Sequence, residues 1–496
     1  MREIEVKLAI EGAVELPDFT SEGHGVVEVR ALDPVTLRAT YHDTEGLRLA
    51  HSGITLRWRS GDDDGSAWTL KLPVEESDAT ERRELRFAGG ARSAPAEARS
   101  LLTAYLRNQT LAPVARLRTV RKRWMLMGEQ ELELAEISHD VVSVLEGNRV
   151  TGRFSEIEIE GRSLDRAGVE RLAEVFREGG AVPAAPGPKL VRAIGIDPSA
   201  PLGIDLSDLR PTDRAGFAMQ AVIATGFQRL VTNDPATRLG EAEPLHQMRV
   251  ATRRLRSDLR TFKPLLDQAW TDATRAELQW LGELLGAVRD TDVLLERFRF
   301  SAPDLAAKLK PIYKALEGER EKAFSRLEEA LASARYIELL ERLDAVGSCP
   351  PLTGEAQRLC SETLPPLVLQ AWKKARKRAG SLGSDPSDEN LHQLRIHTKR
   401  TRYAAEAAAD ALGDRRVVKF ANRAADVQDA LGELQDAVMA RATIERLVTS
   451  ERRPEVALAA GRLLERELAA AAKVRRGWTR AWSKLDDKKL VAWMKS

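Results

Sequence analysis

The chain has little of what several protein classes require. Two cysteines, Cys349 and Cys360, stand among 496 residues, too few for a disulfide framework or for a thiolate-built structural zinc site. Aromatic residues make up 5%, with five tyrosines, so no ladder of rings accompanies the basic segments to stack unpaired bases. No apolar run approaches the ~18 residues of a membrane-crossing helix. The opening MREIEVKLAI alternates charged and apolar residues, unlike a secretory signal, and a cytoplasmic protein without a membrane partner is expected. A formal net charge of +2 supplies no overall field.

Charge is concentrated locally instead. Residues 391–403 carry Arg395, Lys399, Arg400 and Arg402 without an acid, and residues 372–378 carry Lys373, Lys374, Arg376, Lys377 and Arg378. Local focusing of this kind captures an anion on a nearly neutral chain. The length outgrows a single hydrophobic core, and 43% hydrophobic residues can fill more than one.

Periodicity divides the chain. Up to about residue 160, short alternating segments such as EIEVKL, ITLRWR, WTLKLP and FSEIEIE are separated by Gly, Asp and Ser turns and predict antiparallel sheet or barrel. GGAVPAAPGP at 179–188 interrupts any regular element. Beyond Ala215 the period becomes 3.6, in Ala/Leu/Arg/Glu-rich runs that favour helices. The expected fold class is multidomain α+β: a β-rich domain over 1–195, a linker over 196–211, and a helical domain over 212–496 made of two bundles, 212–347 and 355–496.

The helical half repeats itself at an offset of 146 residues. His246 maps onto His392, Arg249 onto Arg395, Arg253 onto Lys399, Arg254 onto Arg400 and Arg256 onto Arg402. The same offset carries Leu285-Gly286 onto Leu431-Gly432 and Asp290 onto Asp436. Within each copy, His246, Arg249, Arg253, Arg256 and Arg260, or His392, Arg395, Lys399 and Arg402, step by three or four and share one side of a helix. An isolated stripe of this kind is most often a solvated face. Its duplication favours two helices lining one groove for a linear polyanion, where charge-assisted contacts accumulate without a fixed register. With little to read or stack bases, a bare polyphosphate chain ranks above nucleic acid, and no specific nucleic-acid partner is expected. Asp290 and Asp436 either orient the basic side chains or histidines, or cap and bridge helices.

In the β-rich part, Glu3, Glu5 and Lys7 share a strand face, as do Arg57 with Arg59, Thr69 with Lys71, Arg116 with Arg118, and Glu156, Glu158 and Glu160. A half-buried sheet would leave these charges in water. A wide barrel would turn them inward, where carboxylates collect Mg²⁺ or Mn²⁺ and cations hold phosphate oxygens. Parity raises one difficulty. Arg116 and Arg118 are even while Arg121 and Arg123 are odd, so all four face inward only if a bulge falls near Thr119–Arg121; Arg116 and Arg118 are the preferred pair.

LHQMRVATRRLRSDLRTF with LGAVRDTDVL, and LHQLRIHTKRTRYAAE with LGELQDA, resemble the conserved-histidine α-helical (CHAD) family over 212–496. The opening Glu3/Glu5/Lys7, Tyr41-His42-Asp43-Thr44, Leu56-Arg57-Trp58-Arg59, Thr69-Leu70-Lys71, Arg82 with Glu84, Glu156/Glu158 and Lys189 resemble, in that order, the CYTH family of triphosphate tunnel metalloenzymes over 1–195. His42 replaces a usual aromatic residue, and Lys189 follows proline rather than serine.

The CHAD resemblance implies paired four-helix bundles that bind inorganic polyphosphate and associate with polyphosphate granules. The CYTH resemblance implies an eight-stranded antiparallel tunnel hydrolysing a triphosphate with Mg²⁺ or Mn²⁺. It implies Glu3, Glu5, Asp140, Glu156 and Glu158 as metal ligands, with Glu133 or Glu136 as alternatives to Asp140. Lys7, Arg57, Arg59, Lys71, Arg82, Arg116, Arg118 and Lys189 are implied as phosphate ligands. Glu3, Glu5 and Lys7 form the catalytic set, Lys7 needing a depressed pKa to activate water and otherwise acting electrostatically. The expected reaction converts inorganic triphosphate to pyrophosphate and phosphate. A non-catalytic polyphosphate binder and a nucleoside or thiamine triphosphatase are the competing expectations, and self-association is compatible with the pattern.

Overall fold

The computed structural model describes residues 4–10, 15–20, 25–62, 65–73, 82–184, 187–196, 208–383, 385–449, 451–475 and 477–495. Glu3 and most of the 196–211 linker lie outside them. The chain forms two compact units, Met1–Leu202 and Gly203–Ser496.

In the first unit the alternating segments become β1 (Ile4–Ala9), β2 (Glu28–Asp43), β3 (Thr55–Asp62), β4 (Gly65–Pro73), β5 (Arg82–Phe87), β6 (Ala112–Met127), β7 (Glu133–Glu146), β8 (Arg149–Gly161) and β9 (Val182–Pro183). They form one antiparallel sheet in the order β5-β4-β3-β2-β6-β7-β8-β1-β9. Among the described residues there are nine strands where eight were expected, and no ladder joins β5 to β9, so backbone pairing does not by itself close the sheet. The ninth strand has two residues and ends on Pro183, which has no N–H to extend a ladder.

Five helices accompany the sheet: α1 (Arg48–His51), α2 (Ala96–Leu101), α3 (Thr103–Leu106), α4 (Arg166–Glu178) and α5 (Lys189–Ile194). Period-two alternation sends Leu8, Ile137, Ile157 and Ile159 to one face, where they pack on Val169, Leu172 and Phe176 of α4. Asp165 starts α4 by accepting a 2.8 Å hydrogen bond from the Gly168 amide. On the opposite, charge-rich face, Leu190 of α5 packs with Tyr41, Leu117 and Val142. This apolar contact anchors α5 on that face and places Lys189, the residue before Leu190, beside the charges.

The second unit is helical throughout: α6 (Ala215–Arg238), α7 (Ala242–Thr261), α8 (Gln268–Ser301), α9 (Ala306–Leu331), α10 (Ala334–Asp344), α11 (Cys360–Gly380), α12 (Asp388–Leu412), α13 (Arg415–Val448), α14 (Pro454–Arg475) and α15 (Trp478–Leu485). The duplication extends to the elements. α7 and α12 start 146 residues apart, at Ala242 and Asp388, and α8 and α13 both run 34 residues. Both long helices start on an aspartate cap, Asp267 accepting from the Trp270 amide and Asp414 from the Arg416 amide, each at 2.7 Å. The copies are not independent bundles, because one core joins Phe298, Leu309 and Ile312 from the first copy to Ile444, Val456 and Leu463 from the second. Burying side chains of this size contributes about 1.5–3 kcal/mol each, enough to hold the copies as one body. Cys349 is exposed, Cys360 is buried, and both are free thiols.

Candidate functional site

Strand register builds the first site. Asp140 on β7 pairs with Glu156 on β8, and Glu158, two residues further along β8, pairs with Lys7 on β1. Residues directly opposite or two apart share a face, so all four side chains converge. Oxygens of Asp140, Glu156 and Glu158 lie within 4.8 Å of one another, and the three residues are 0%, 2% and 9% exposed.

Carboxylates this close cannot all stay ionised and buried without cations. Lys189 Nζ lies 2.7 Å from an oxygen of each of the three. Lys7 Nζ lies 2.9 Å from Glu158 and 3.2 Å from Glu5. Arg121 makes a two-pronged contact with Asp140, at 2.7 Å on each oxygen, and a further one with Glu158. Arg192 of α5 reaches Glu156 at 3.4 Å and stacks over Phe154. Burial opposes the charge on Glu158, but Lys189, Lys7 and Arg121 hold its carboxyl well below the ordinary range. Burial likewise opposes the charge on Lys189 and Lys7, yet the surrounding carboxylates hold both ammoniums above the ordinary lysine value. The surrounding carboxylates thus favour the protonated form of Lys7.

The donor set suits a hard divalent cation, which takes carboxylate oxygens. Glu156 Oε1 is buried and lies close to Lys189 Nζ, but off any hydrogen-bond line, leaving a lone pair for a ligand. Lys189 stands where such a cation would stand.

The same face carries further charge. Lys71 pairs with Glu84 at 2.8 Å, and Arg86 also reaches Glu84 at 3.0 Å; burial opposes this carboxylate, but Lys71 and Arg86 bring it down to about 2. Arg57 donates to the Tyr41 hydroxyl at 3.3 Å, while its Nε is buried without a partner among the described residues. Arg59 falls on this face by register. Asp43 is structural: it accepts from the amides of Thr44, Leu49 and Ala50 and holds the turn into α1.

The sheet curls strongly. Six strands separate β5 from β1 in the pairing order, a distance of about 34 Å in a flat sheet. Nevertheless burial, which opposes the charge on Arg82 of β5, is offset in part by Glu5 of β1. Arg57 on β3 is similarly supported by Glu158 on β8, after Tyr41 and Glu84.

Parity decides between the arginines of β6. The β6–β7 register runs unbroken from Arg116/Leu145 to Leu126/Ala135, so no bulge lies at Thr119–Arg121. Arg121 pairs with Asp140 and faces the cluster. Arg116 and Arg118 pair with Leu145 and Ser143, lie on the opposite face, and are exposed. The expectation that these two join the phosphate set is corrected: Arg121, ranked below them, lies at the cluster instead, together with Arg192, which the sequence pattern did not single out. Asp140 takes the place in the cluster for which Glu133 and Glu136 were alternatives, Glu136 being paired with Arg162 instead.

In the helical unit α7 and α12 pack together and bring both stripes to one place. Arg249 donates to Asp290 at 2.8 Å, and burial, which lowers Arg395, is partly offset by Asp436 at the matching position. Gly286 and Gly432 lie under the guanidiniums of Arg249 and Arg395, where an added Cβ would sit 3.5 and 3.8 Å from Nε. The repeated Leu-Gly pair thus seats the repeated arginine. The Nδ1 atoms of His246 and His392 are both buried without a partner among the described residues. Arg253 reaches the Tyr403 hydroxyl at 3.5 Å, Arg256 donates to Gln279 and Arg402 to Glu406, while Arg260 is exposed. Burial followed by mutual repulsion lowers Arg249, Arg395, Arg256 and Arg400, the last to about 10.

A CYTH domain model matches residues 1–178 and a CHAD domain model matches residues 221–445. An uncharacterized protein of Mycobacterium tuberculosis, Rv2226, is 30% identical over 519 aligned positions, covering 98% of this chain and 96% of the relative. The chain belongs to the family that joins a CYTH domain to a CHAD domain. Among solved structures, PptA from Streptomyces chartreusis is similar at 23% identity over 55% of this chain and all of that one, with a TM-score of 0.46. The CHAD domain from the plant Ricinus communis is similar at 25% identity over 60% of this chain and 97% of that one, with a TM-score of 0.44. No helix among the described residues of this CYTH–CHAD chain is long and apolar enough to cross a membrane.

Proposed function

We propose that the CYTH unit hydrolyses inorganic triphosphate to pyrophosphate and phosphate with Mg²⁺ or Mn²⁺, and that the CHAD unit binds inorganic polyphosphate. The observation that carries the first part is the buried Asp140/Glu156/Glu158 cluster beside Lys7, Lys189 and Arg121. A divalent cation at these carboxylates would polarise a phosphoryl oxygen and neutralise developing charge. Lys7, Arg57, Arg59, Lys71, Arg82 and Arg121 share the face of the curled sheet and would line a tunnel. They would bind the non-bridging oxygens of a short phosphate chain and hold it in line for attack by water. Lys189 would pass from the carboxylates to the phosphate as the cation enters, so net charge stays balanced. Among the described residues the rings nearest these charges, Tyr41 and Phe154, are engaged by Arg57 and Arg192, which favours the inorganic substrate. The CHAD reading rests on two arginine stripes meeting across α7 and α12 with few carboxylates to answer them. A cytoplasmic protein gathered on polyphosphate granules follows from that ligand.

The test is phosphate release from tripolyphosphate by the full chain with Mg²⁺ or Mn²⁺. Glu158→Gln and Glu156→Gln should each lower kcat at least about 100-fold, the scale for losing one preorganised charged group, with polyphosphate binding retained. Wild-type turnover that persists in a metal chelator would overturn the metal-dependent reading, and no turnover with either metal would leave a binding protein.

A further inference from the structure

Lys399 is the position of the paired stripes where an amine stands for a guanidinium, its counterpart in the first copy being Arg253; the other mismatch, Arg260 against Glu406, sets a cation against an acid. It projects from α12 with Nζ 6.0 Å from the Tyr403 ring. Among the described residues it has neither an ion pair nor a hydrogen bond. Among the described residues the charges that act on it most strongly are cations: Arg253, Arg249 and Arg256 on α7, and Arg395 on its own helix. The neighbouring carboxylates are committed elsewhere: Asp290 of α8 pairs with Arg249, Asp436 and Asp429 of α13 support Arg395, and Glu406 pairs with Arg402 and Arg254.

An amine in this position differs from every other cation of the groove. A guanidinium keeps its proton under such repulsion, whereas an ammonium can give it up and become a nucleophile. Burial first, then the four arginines, push Lys399 down to about 6. The same arginines attract phosphate groups, and Arg253 Nε and Arg395 Nε are buried with no partner among the described residues. A free amine thus stands among phosphate-binding groups that have capacity to spare.

We propose that Lys399 is an acylation site: a small acyl phosphate docks its phosphate on Arg253 and Arg395 and transfers its acyl group to Lys399 Nζ. The nitrogen lone pair attacks the acyl carbon and the N–C bond forms. The carbon–oxygen bond to phosphorus breaks, phosphate departs with the electron pair, and the nitrogen proton passes to it. The amide product cannot be protonated when a polyanion arrives, so acylation weakens the groove. This last consequence rests on the polyphosphate reading of the CHAD unit, while the acylation step does not.

The experiment treats the full-length protein with acetyl phosphate near pH 7 and follows each lysine by peptide mass spectrometry. Lys399 should be acetylated at least about tenfold faster than Lys373 or Lys374, because an unperturbed lysine is almost wholly protonated at that pH. Inorganic phosphate should slow Lys399 selectively. Pretreatment should weaken polyphosphate binding by the wild type and leave Lys399→Arg, which restores the symmetry of the copies, unaffected. Acetylation of Lys399 no faster than that of Lys373, or without sensitivity to phosphate, overturns the proposal. Fast, phosphate-sensitive acetylation of a protein that does not bind polyphosphate supports the acylation site and overturns the polyphosphate reading instead.

Discussion

The two units treat positive charge in opposite ways. In the CYTH unit the cations are answered: Lys7, Lys189 and Arg121 meet Asp140, Glu156 and Glu158 at ion-pair distance, and all three cations are held above their ordinary values. In the CHAD unit Arg249, Arg256, Arg395, Lys399 and Arg400 are pressed below theirs, by burial and then by one another where charge partners run short. An interior with both signs interleaved can accept a metal and a phosphate together. A groove with one sign in excess is relieved only by an anion, and relieved most by a long one.

Charge reversal separates the two kinds of site most sharply. Arg249→Glu with Arg395→Glu should lower affinity for linear polyphosphate about 100-fold, or about 2.7 kcal/mol, measured by calorimetry. Tripolyphosphate hydrolysis should be unchanged. Equal loss of binding when exposed Lys373 and Lys374 are reversed instead would reduce the groove to diffuse surface charge.

This half was the more legible from sequence. Helical period, duplication and the repeated Leu-Gly pairs are local signals, and the 146-residue offset recovers equivalent helices, whereas the seating of Arg249 and Arg395 over the two glycines emerges only from the packing. The shared core of Phe298 with Ile444 and Val456 was not legible, because an apolar helix face does not state which helix it meets. Nor was the state of Lys399, which depends on Arg249 and Arg253 of another helix.

Proton linkage gives a smaller effect on the same contrast. Lys399 is depressed in the folded, ligand-free chain, so the unfolded chain binds more protons above about pH 6, and stability contributed by this group rises with pH from there toward the ordinary lysine range. A bound polyanion reverses the balance by returning the proton. Binding should therefore take up a proton, and affinity should fall as pH rises above about 6, by at most about tenfold per unit for one group. Calorimetry in buffers of different ionisation enthalpy measures the uptake. Lys399→Arg should abolish the Lys399 contribution, and an undiminished uptake in that variant would assign it to another group.

The smallest expected effect tests the answered charges of the CYTH unit through strand parity. Each parity of β6 carries two arginines, Arg116 with Arg118 and Arg121 with Arg123, so charge on the strand does not say which pair points inward. Facing is fixed by partners: Arg121 lies opposite Asp140, whereas Arg118 lies opposite Ser143. Arg116→Ala and Arg118→Ala should then leave tripolyphosphate hydrolysis within about twofold, as expected for exposed charges with little interaction energy. Arg121→Ala, which leaves two buried carboxylates with one cation fewer, should lower it at least about tenfold. A larger loss from Arg118→Ala than from Arg121→Ala would require the β6 register to shift by one residue, turning every side chain of that strand over. It would also expose the buried Leu117, so thermal stability measured on the same variants distinguishes a register error from an unforeseen role for the outer arginines.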